Sequence, residues 1–203
     1  MGRRSDHSRA ELEELILSTG EAHMAQVGFA GFSAREVAKR IGYWIGTIHN
    51  VIGSHDRLTL SINARTLRAW AAFLEARLAA RLEDRIAALV HGYFDFAGEN
   101  RNRWLALYDH RMVGDEPLPD FFIAAFNQLI GIIEAEVAAA SGEPPGPEMR
   151  ARTGSLVAIA HGHCMFALNG THALFGDWVP REAALARIRE ALAPPSALSG
   201  SGV

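Results

Sequence analysis

Residues 33–52, SAREVAKRIGYWIGTIHNVI, set the narrowest limit on what this chain can fold into. The stretch opens Ser-x-x-Glu, a capping box in which Ser33 and Glu36 each satisfy a free backbone N–H at a helix start. Ala34, Val37, Ala38 and Ile41 follow at helical spacing, so the first helix has one apolar face. Gly42 accepts the left-handed conformation that ends a helix. Ile45, Ile48 and Ile52 then mark a second short helix, closed by Gly53. Two short helices about a glycine turn, the second presenting Gly46, Thr47, His49 and Asn50, form a helix-turn-helix pattern.

The remaining chain is helical throughout. A second capping box, Ser8 to Glu11, opens a first helix carrying Leu12, Leu15, Ile16, Thr19 and His23 on one face and ending at Gly28. Gly20 lies inside it, at a cost of about 1 kcal/mol relative to alanine. Phe29 and Phe32 are expected to seal the small core. Ser54 caps a long helix over about residues 55–82, with Leu58, Ile62, Leu67, Trp70 and Leu74 on its apolar face. Further helices are expected to end near Ala97, to span about 101–113, and to end near Ser141. The GEPPGP run at 142–147 is the clearest linker. A weakly polar helix over about 148–176 and a last one over about 181–193 complete the fold. It is all-α, about nine helices: a three-helix unit at 1–53, a larger helical domain at 54–193 and a flexible tail at 194–203.

An apolar share of 49% with 21% charged residues belongs to a globular chain of 203 residues, not a disordered one. No run approaches the roughly 20 apolar residues of a membrane span, so no membrane partner is expected. The first residues, MGRRSDHSRAELEE, lack the apolar stretch of a signal peptide. A single cysteine, Cys164, excludes an intrachain disulfide framework and suits a cytoplasmic setting. The net charge of −3 rules against coating nucleic acid by bulk charge, although a local basic patch suffices for a specific reader.

In register, Ile16-Leu17, Gly28-Phe29, residues 33–38 (SAREVA), Gly42, Gly46-Thr47-Ile48 and residues 53–58 (GSHDRL) resemble the N-terminal pattern of the tetracycline-repressor (TetR) family of bacterial transcriptional regulators. The resemblance covers about the first 60 residues. It implies a homodimer on a palindromic double-stranded DNA operator and a C-terminal domain that senses a small molecule. On this mapping the DNA-contacting set is Ser33, Arg35, Trp44, Gly46, Thr47, His49, Asn50 and His55. A helix-start Ser33 suits a phosphate, and Asn50 suits adenine read by two hydrogen bonds. Arg3 and Arg4 would reach the neighbouring backbone or minor groove. The chain departs from the family in carrying His49 for tyrosine, His55 for lysine, and Tyr43 and Trp44 in the turn. A neutral histidine lacks the permanent charge that releases counterions at phosphate. The last two helices resemble those forming the family's dimer bundle, and small residues such as Ala151, Gly154 and Ala158 would let them approach. Ala160-His161-Gly162 is similar to a Trp-His-Gly motif of one subgroup.

The resemblance also implies a pocket in the middle helices for a small hydrophobic effector. Its candidate lining is Trp70, Phe73, Phe94, Trp104, Tyr108, Phe122, Phe126, His161, Met165 and Phe166; for the aromatics the simpler reading is ordinary core, and His161 reads as a pocket polar group or a hydrogen-bonded buried residue. His161, His163, Cys164 and His172 invite a metal reading, but residues two apart on a helix diverge by about 200°. No metal or other cofactor is expected. An enzyme needs converging titratable groups, and the histidines are scattered. The expected function is therefore a ligand-responsive DNA-binding regulator, most simply a repressor, and not an enzyme. The alternative is a small-molecule-binding helical protein or enzyme with a vestigial helix-turn-helix.

Overall fold

The computed structural model describes residues 7–80, 83–111 and 117–193. Arg3, Arg4, Leu82, the end of the helix expected over 101–113 and the tail at 194–203 lie outside them. The described residues form nine α-helices, one 3-10 turn and no strand. They are α1 (Arg9–Gly31), α2 (Ala34–Arg40), α3 (Ile45–Ile52), α4 (His55–Ala80), α5 (Arg85–Glu99), α6 (Arg101–Asp109), α7 (Asp120–Ser141), α8 (Pro147–Leu168) and α9 (Pro180–Leu192), with the 3-10 turn at Thr171–Phe175 before α9.

Local chemistry accounts for the boundaries. The Ser8 hydroxyl accepts from the Glu11 N–H while the Glu11 carboxylate accepts from the Ser8 N–H, a complete capping box. Ser33 completes only half of one. Its hydroxyl accepts from the Glu36 N–H at 3.4 Å, but the Glu36 carboxylate faces Lys39 and Arg40. Ser54 caps α4 through the Arg57 N–H at 3.0 Å. Gly28, at φ 71°, breaks the α-helical run of α1 one turn before Gly31. α8 stops at Leu168, earlier than the apolar pattern suggests, because Gly170 turns left-handed at φ 70° and the backbone tightens into the 3-10 turn.

The chain divides into two compact units, one of residues 1–70 and 99–128, the other of 71–98 and 129–203. The first is not the helix-turn-helix segment alone, because α6 packs along α1. The Asn102 amide donates to the Ala25 carbonyl at 2.8 Å, and Glu21 pairs with both Arg65, at 2.8 Å, and Arg103. The Asn63 amide, buried, donates to the Ala106 carbonyl at 3.1 Å. Around these polar ties lies one core built from Ile16, Met24, Val37, Ile48, Leu58 and Ile62. Phe32 is buried and Phe29 half-buried at its rim.

In the second unit α8 packs along α9, and Leu74, Phe94, Val137, Leu156 and Ile188 are buried. Arg77 and Arg181 both pair with Asp95, at 2.7 and 2.5 Å. α7 corrects the expectation that no run is span-like: by length and composition it is apolar enough to cross a membrane. Within the second unit its acidic residues are engaged, Glu136 with Arg85 at 2.5 Å and Glu134 with Arg150 at 3.2 Å.

Two positions of α1 have measurable consequences. A Cβ on Gly20 would stand 2.8 Å from Cδ1 of the buried Ile62. Overpacking of that kind costs about 1–3 kcal/mol, against a helix-propensity gain of about 1 kcal/mol. Gly20→Ala should therefore lower stability in chemical denaturation, and Ile62→Val, which removes the clashing methyl, should recover part of the loss. His23 is buried, packed on Phe32, and neither ring nitrogen has a hydrogen-bond partner among the described residues. Burial, aided by the charge of Arg40, lowers its pKa below the ordinary 6.5. Below that pH the unfolded chain takes a proton that the folded one refuses, so stability falls as pH drops through about 6.5. Stability measured between pH 7.5 and 5.5 should show a shallower fall for His23→Leu than for the natural chain.

Candidate functional site

α3 is eight residues long and is held by one face. Ile48 and Ile52 are buried at 1% and 7% exposure, joined by the half-buried Ile45 and Val51. The opposite face carries Gly46, His49 and Asn50 at i, i+3 and i+4, all exposed. Thr47 is half-buried, its N–H donating to the Trp44 carbonyl at 2.9 Å. A Cβ on Gly46 would meet nothing within 4 Å, so that side is open to an approaching surface. Trp44, the residue before α3, is 85% exposed. Arg35 on α2 and His55 at the start of α4 are exposed, and Ser33 is half-buried. Of the eight residues predicted from the sequence, Trp44, Gly46, Thr47, His49 and Asn50 thus sit together on or just before α3.

The C-terminal end of α3 is closed by two side chains. A carbonyl can only accept, so the 2.9 Å contact of His49 Nδ1 with the Gly53 carbonyl places the proton on Nδ1. Nε2 is then the atom available outward, an acceptor while the ring is neutral and a donor when it is charged. Arg9 reaches from α1 to the carbonyls of Asn50 and Val51 at 3.5 and 3.4 Å. Both groups place donors where a helix leaves its last carbonyls unpaired and its dipole favours positive charge.

Lys39 was not among the residues predicted from the sequence to make contacts. It is exposed and shares a shallow surface groove with Arg35, Gly42, Tyr43 and Trp44. Its place on α2, one turn after Arg35, was the available signal. Tyr43 is anchored by its hydroxyl, 3.1 Å from His7 Nδ1.

The ten aromatic and polar residues predicted to line a ligand pocket divide between the units. In the first, Trp70 and Trp104 are buried edge to face at 6.4 Å, and Trp104 packs on Tyr108 at 4.9 Å. Phe122 is half-buried and Phe126 exposed. In the second, Phe73 packs on Phe96 and Phe94 lies under the Arg181 guanidinium. Phe166 meets Phe175 and Trp178 at 5.8 Å each, at an exposed edge. His161 and Met165 are half-buried.

The second unit holds a different apolar pocket, small at about 40 Å³, whose walls include Leu89, Tyr93, Ile133, Leu156, Ala160 and Ile188. His161 borders it through Tyr93, whose hydroxyl is 3.1 Å from His161 Nδ1. Burial holds the His161 pKa below its ordinary value, so this polar corner is neutral at pH 7.

The other candidates for chemistry turn apart. His163 Nδ1 donates to the Ile159 carbonyl at 2.8 Å and His172 Nδ1 to the Phe166 carbonyl at 3.2 Å. Among the described residues no three His, Cys, Asp or Glu side chains gather as metal ligands. Cys164 is fully buried, and burial pushes its thiol up to about 12, leaving no thiolate at neutral pH.

Residues 86–192 match the model of the tetracyclin repressor-like C-terminal domain. Three solved structures share the fold. They are a protein of unknown function from Rhodococcus sp. RHA1 (18% identity over 94% of this chain and 97% of that one, TM-score 0.70); the multidrug-binding protein EbrR in complex with imidazole (18%, 95% and 99%, 0.62); and E. coli NemR in its reduced form (20%, 90% and 98%, 0.59). No curated protein matches the chain significantly. The buried thiol gives a direct check on the site chemistry: at pH 7 Cys164 should not react with a thiol reagent such as DTNB in the folded protein, and should react at once in denaturant.

Proposed function

Because the chain belongs to the tetracycline-repressor family of regulators, we propose that it is a repressor that reads a palindromic operator as a homodimer and releases it on binding a small hydrophobic effector. The observation that carries this reading is the division of α3: Ile48 and Ile52 are buried, while Gly46, His49 and Asn50 point outward beside an exposed Trp44. A helix fixed by one face with small and hydrogen-bonding residues on the other suits the major groove. In this reading the half-buried Thr47 bonds phosphate or packs on a thymine methyl. Arg35, Lys39 and His55 flank the helix and supply phosphate contacts, which give register and most of the salt dependence. His49 offers its outward Nε2 to a base edge or phosphate.

The apolar pocket beside Tyr93 is the proposed effector site. Its walls are mainly branched aliphatic, which suits a neutral hydrophobic molecule with one hydrogen-bonding group for the Tyr93–His161 corner. EbrR has been solved with imidazole and with proflavin; here, where the pocket is about 40 Å³ and apolar, small neutral hydrophobic molecules are the first probes. The effector signal would travel along α4, whose residues belong to both units. Dimerisation through α8 and α9 is supported by the exposed small residues Ala151, Gly154 and Ala158, one face of α8 on which a partner helix can approach closely. The reading places the protein in the cytoplasm, with DNA and not a membrane as its partner.

Operator selection with the full chain tests this directly. Each of Thr47→Ala and Asn50→Ala should weaken binding to the selected duplex by about 10- to 100-fold, the range expected for lost base-edge contacts, while folding and binding of a neutral hydrophobic probe stay as in the natural chain. Affinity should fall steeply between 50 and 200 mM salt. Binding of the selected duplex that ignores both substitutions would overturn the assignment of α3 as the reading helix.

A further inference from the structure

On the first unit a surface groove opens between α1, the end of α3, one face of α4 and the start of α7. Residues 57, 61, 65 and 68 are spaced to lie along one face of α4, and they are Arg57, Ser61, Arg65 and Arg68. Arg9 enters from α1, with Glu13 and Glu14 beside it. The arginines are not equivalent. Arg65 is neutralised by Glu14 at 3.0 Å and Glu21 at 2.8 Å. Arg9, Arg57 and Arg68 have no carboxylate partner among the described residues. Arg57 lies over the ring of Phe121 at 5.4 Å, and Arg68 donates to the Phe121 carbonyl at 3.3 Å. Two guanidinium groups therefore converge on one residue, with Arg9 at the α3 end of the same groove. Glu13 is the one opposing carboxylate there that forms no ion pair among the described residues.

Like charges gathered without carboxylate partners repel one another, in a chain whose net charge is −3. A patch of that sign against the overall charge concentrates anions locally. Guanidinium groups bind phosphate and carboxylate oxygens through paired, charge-assisted hydrogen bonds.

We propose that this groove is a binding site for a small polyanion, a diphosphate or a polycarboxylate, held by Arg57 and Arg68 with Arg9 at its α3 end. Its occupant is freely dissolved and is not the backbone of bound DNA. An anion that engages Arg9 competes with the carbonyls of Asn50 and Val51, so occupancy reaches the last turn of α3. The site adds a second input, chemically opposite to the apolar pocket, and does not depend on what α3 reads.

The test titrates sodium pyrophosphate into the full-length protein without DNA, by calorimetry, with KCl holding ionic strength constant. Saturable binding of one pyrophosphate per chain is expected. Arg57→Gln combined with Arg68→Gln should weaken it at least about tenfold, and Arg57→Lys with Arg68→Lys should restore part of it. Arg187→Gln, at an exposed residue of α9 in the other unit, should leave it unchanged. Circular dichroism verifies folding of each variant, and the lysine pair keeps the test decisive if the glutamine pair unfolds. The proposal fails if uptake is not saturable or if the glutamine pair binds like the natural chain. It also fails if the glutamine pair weakens duplex DNA binding and its salt dependence while pyrophosphate does not bind, because the groove is then a DNA-backbone contact.

Discussion

The burial of Ile48 and Ile52 is the constraint on which the exposed face of α3 depends. An eight-residue helix cannot repay its own nucleation in water, and α3 has no side-chain cap at its first turn. Its order comes from two isoleucines set among Ile16, Val37, Leu58 and Ile62, contributed by α1, α2 and α4. Every exposed group on α3 is therefore aimed by a core it does not touch. Arg9 and His49 finish the job at the far end by covering carbonyls that the helix leaves open. α6 extends the same logic: Asn102 and Arg103 tie it to α1, so the three-helix segment draws support from residues fifty positions beyond α3.

The elements and their ends were legible wherever a local rule decides them. Ser8, Ser33 and Ser54 cap helices because a hydroxyl answers a free N–H within three residues, and Gly28, Gly42 and Gly53 all take positive φ. The end of α8 was not legible, because His172, Ala173, Leu174 and Phe175 continue an apolar pattern past the glycine that actually breaks it. The extent of the first unit was hidden for another reason: the Glu21–Arg103 and Asn102–Ala25 ties join residues about eighty apart, and no local rule pairs them.

The residues expected to line a pocket and those that border the apolar pocket differ in type. Large aromatic rings are easily taken for walls of a cavity, but Trp70 and Trp104 fill the space they occupy. Shorter branched side chains such as Leu89, Ile133, Leu156 and Ile188 border the empty space instead. The stripe of Arg57, Ser61, Arg65 and Arg68 was not singled out in the sequence, because only the groove opposite it and the position of Phe121 distinguish it from a solvated surface.

The exposure of Trp44 has an optical consequence. Trp70 and Trp104 are sealed in apolar surroundings and should emit toward the blue, whereas the indole of Trp44 stands in water and should emit toward the red. The molecule thus carries an intrinsic reporter at the edge of α3. Anything that covers this face, nucleic acid or otherwise, should change the red side of the emission spectrum, and no dye need be attached to follow it.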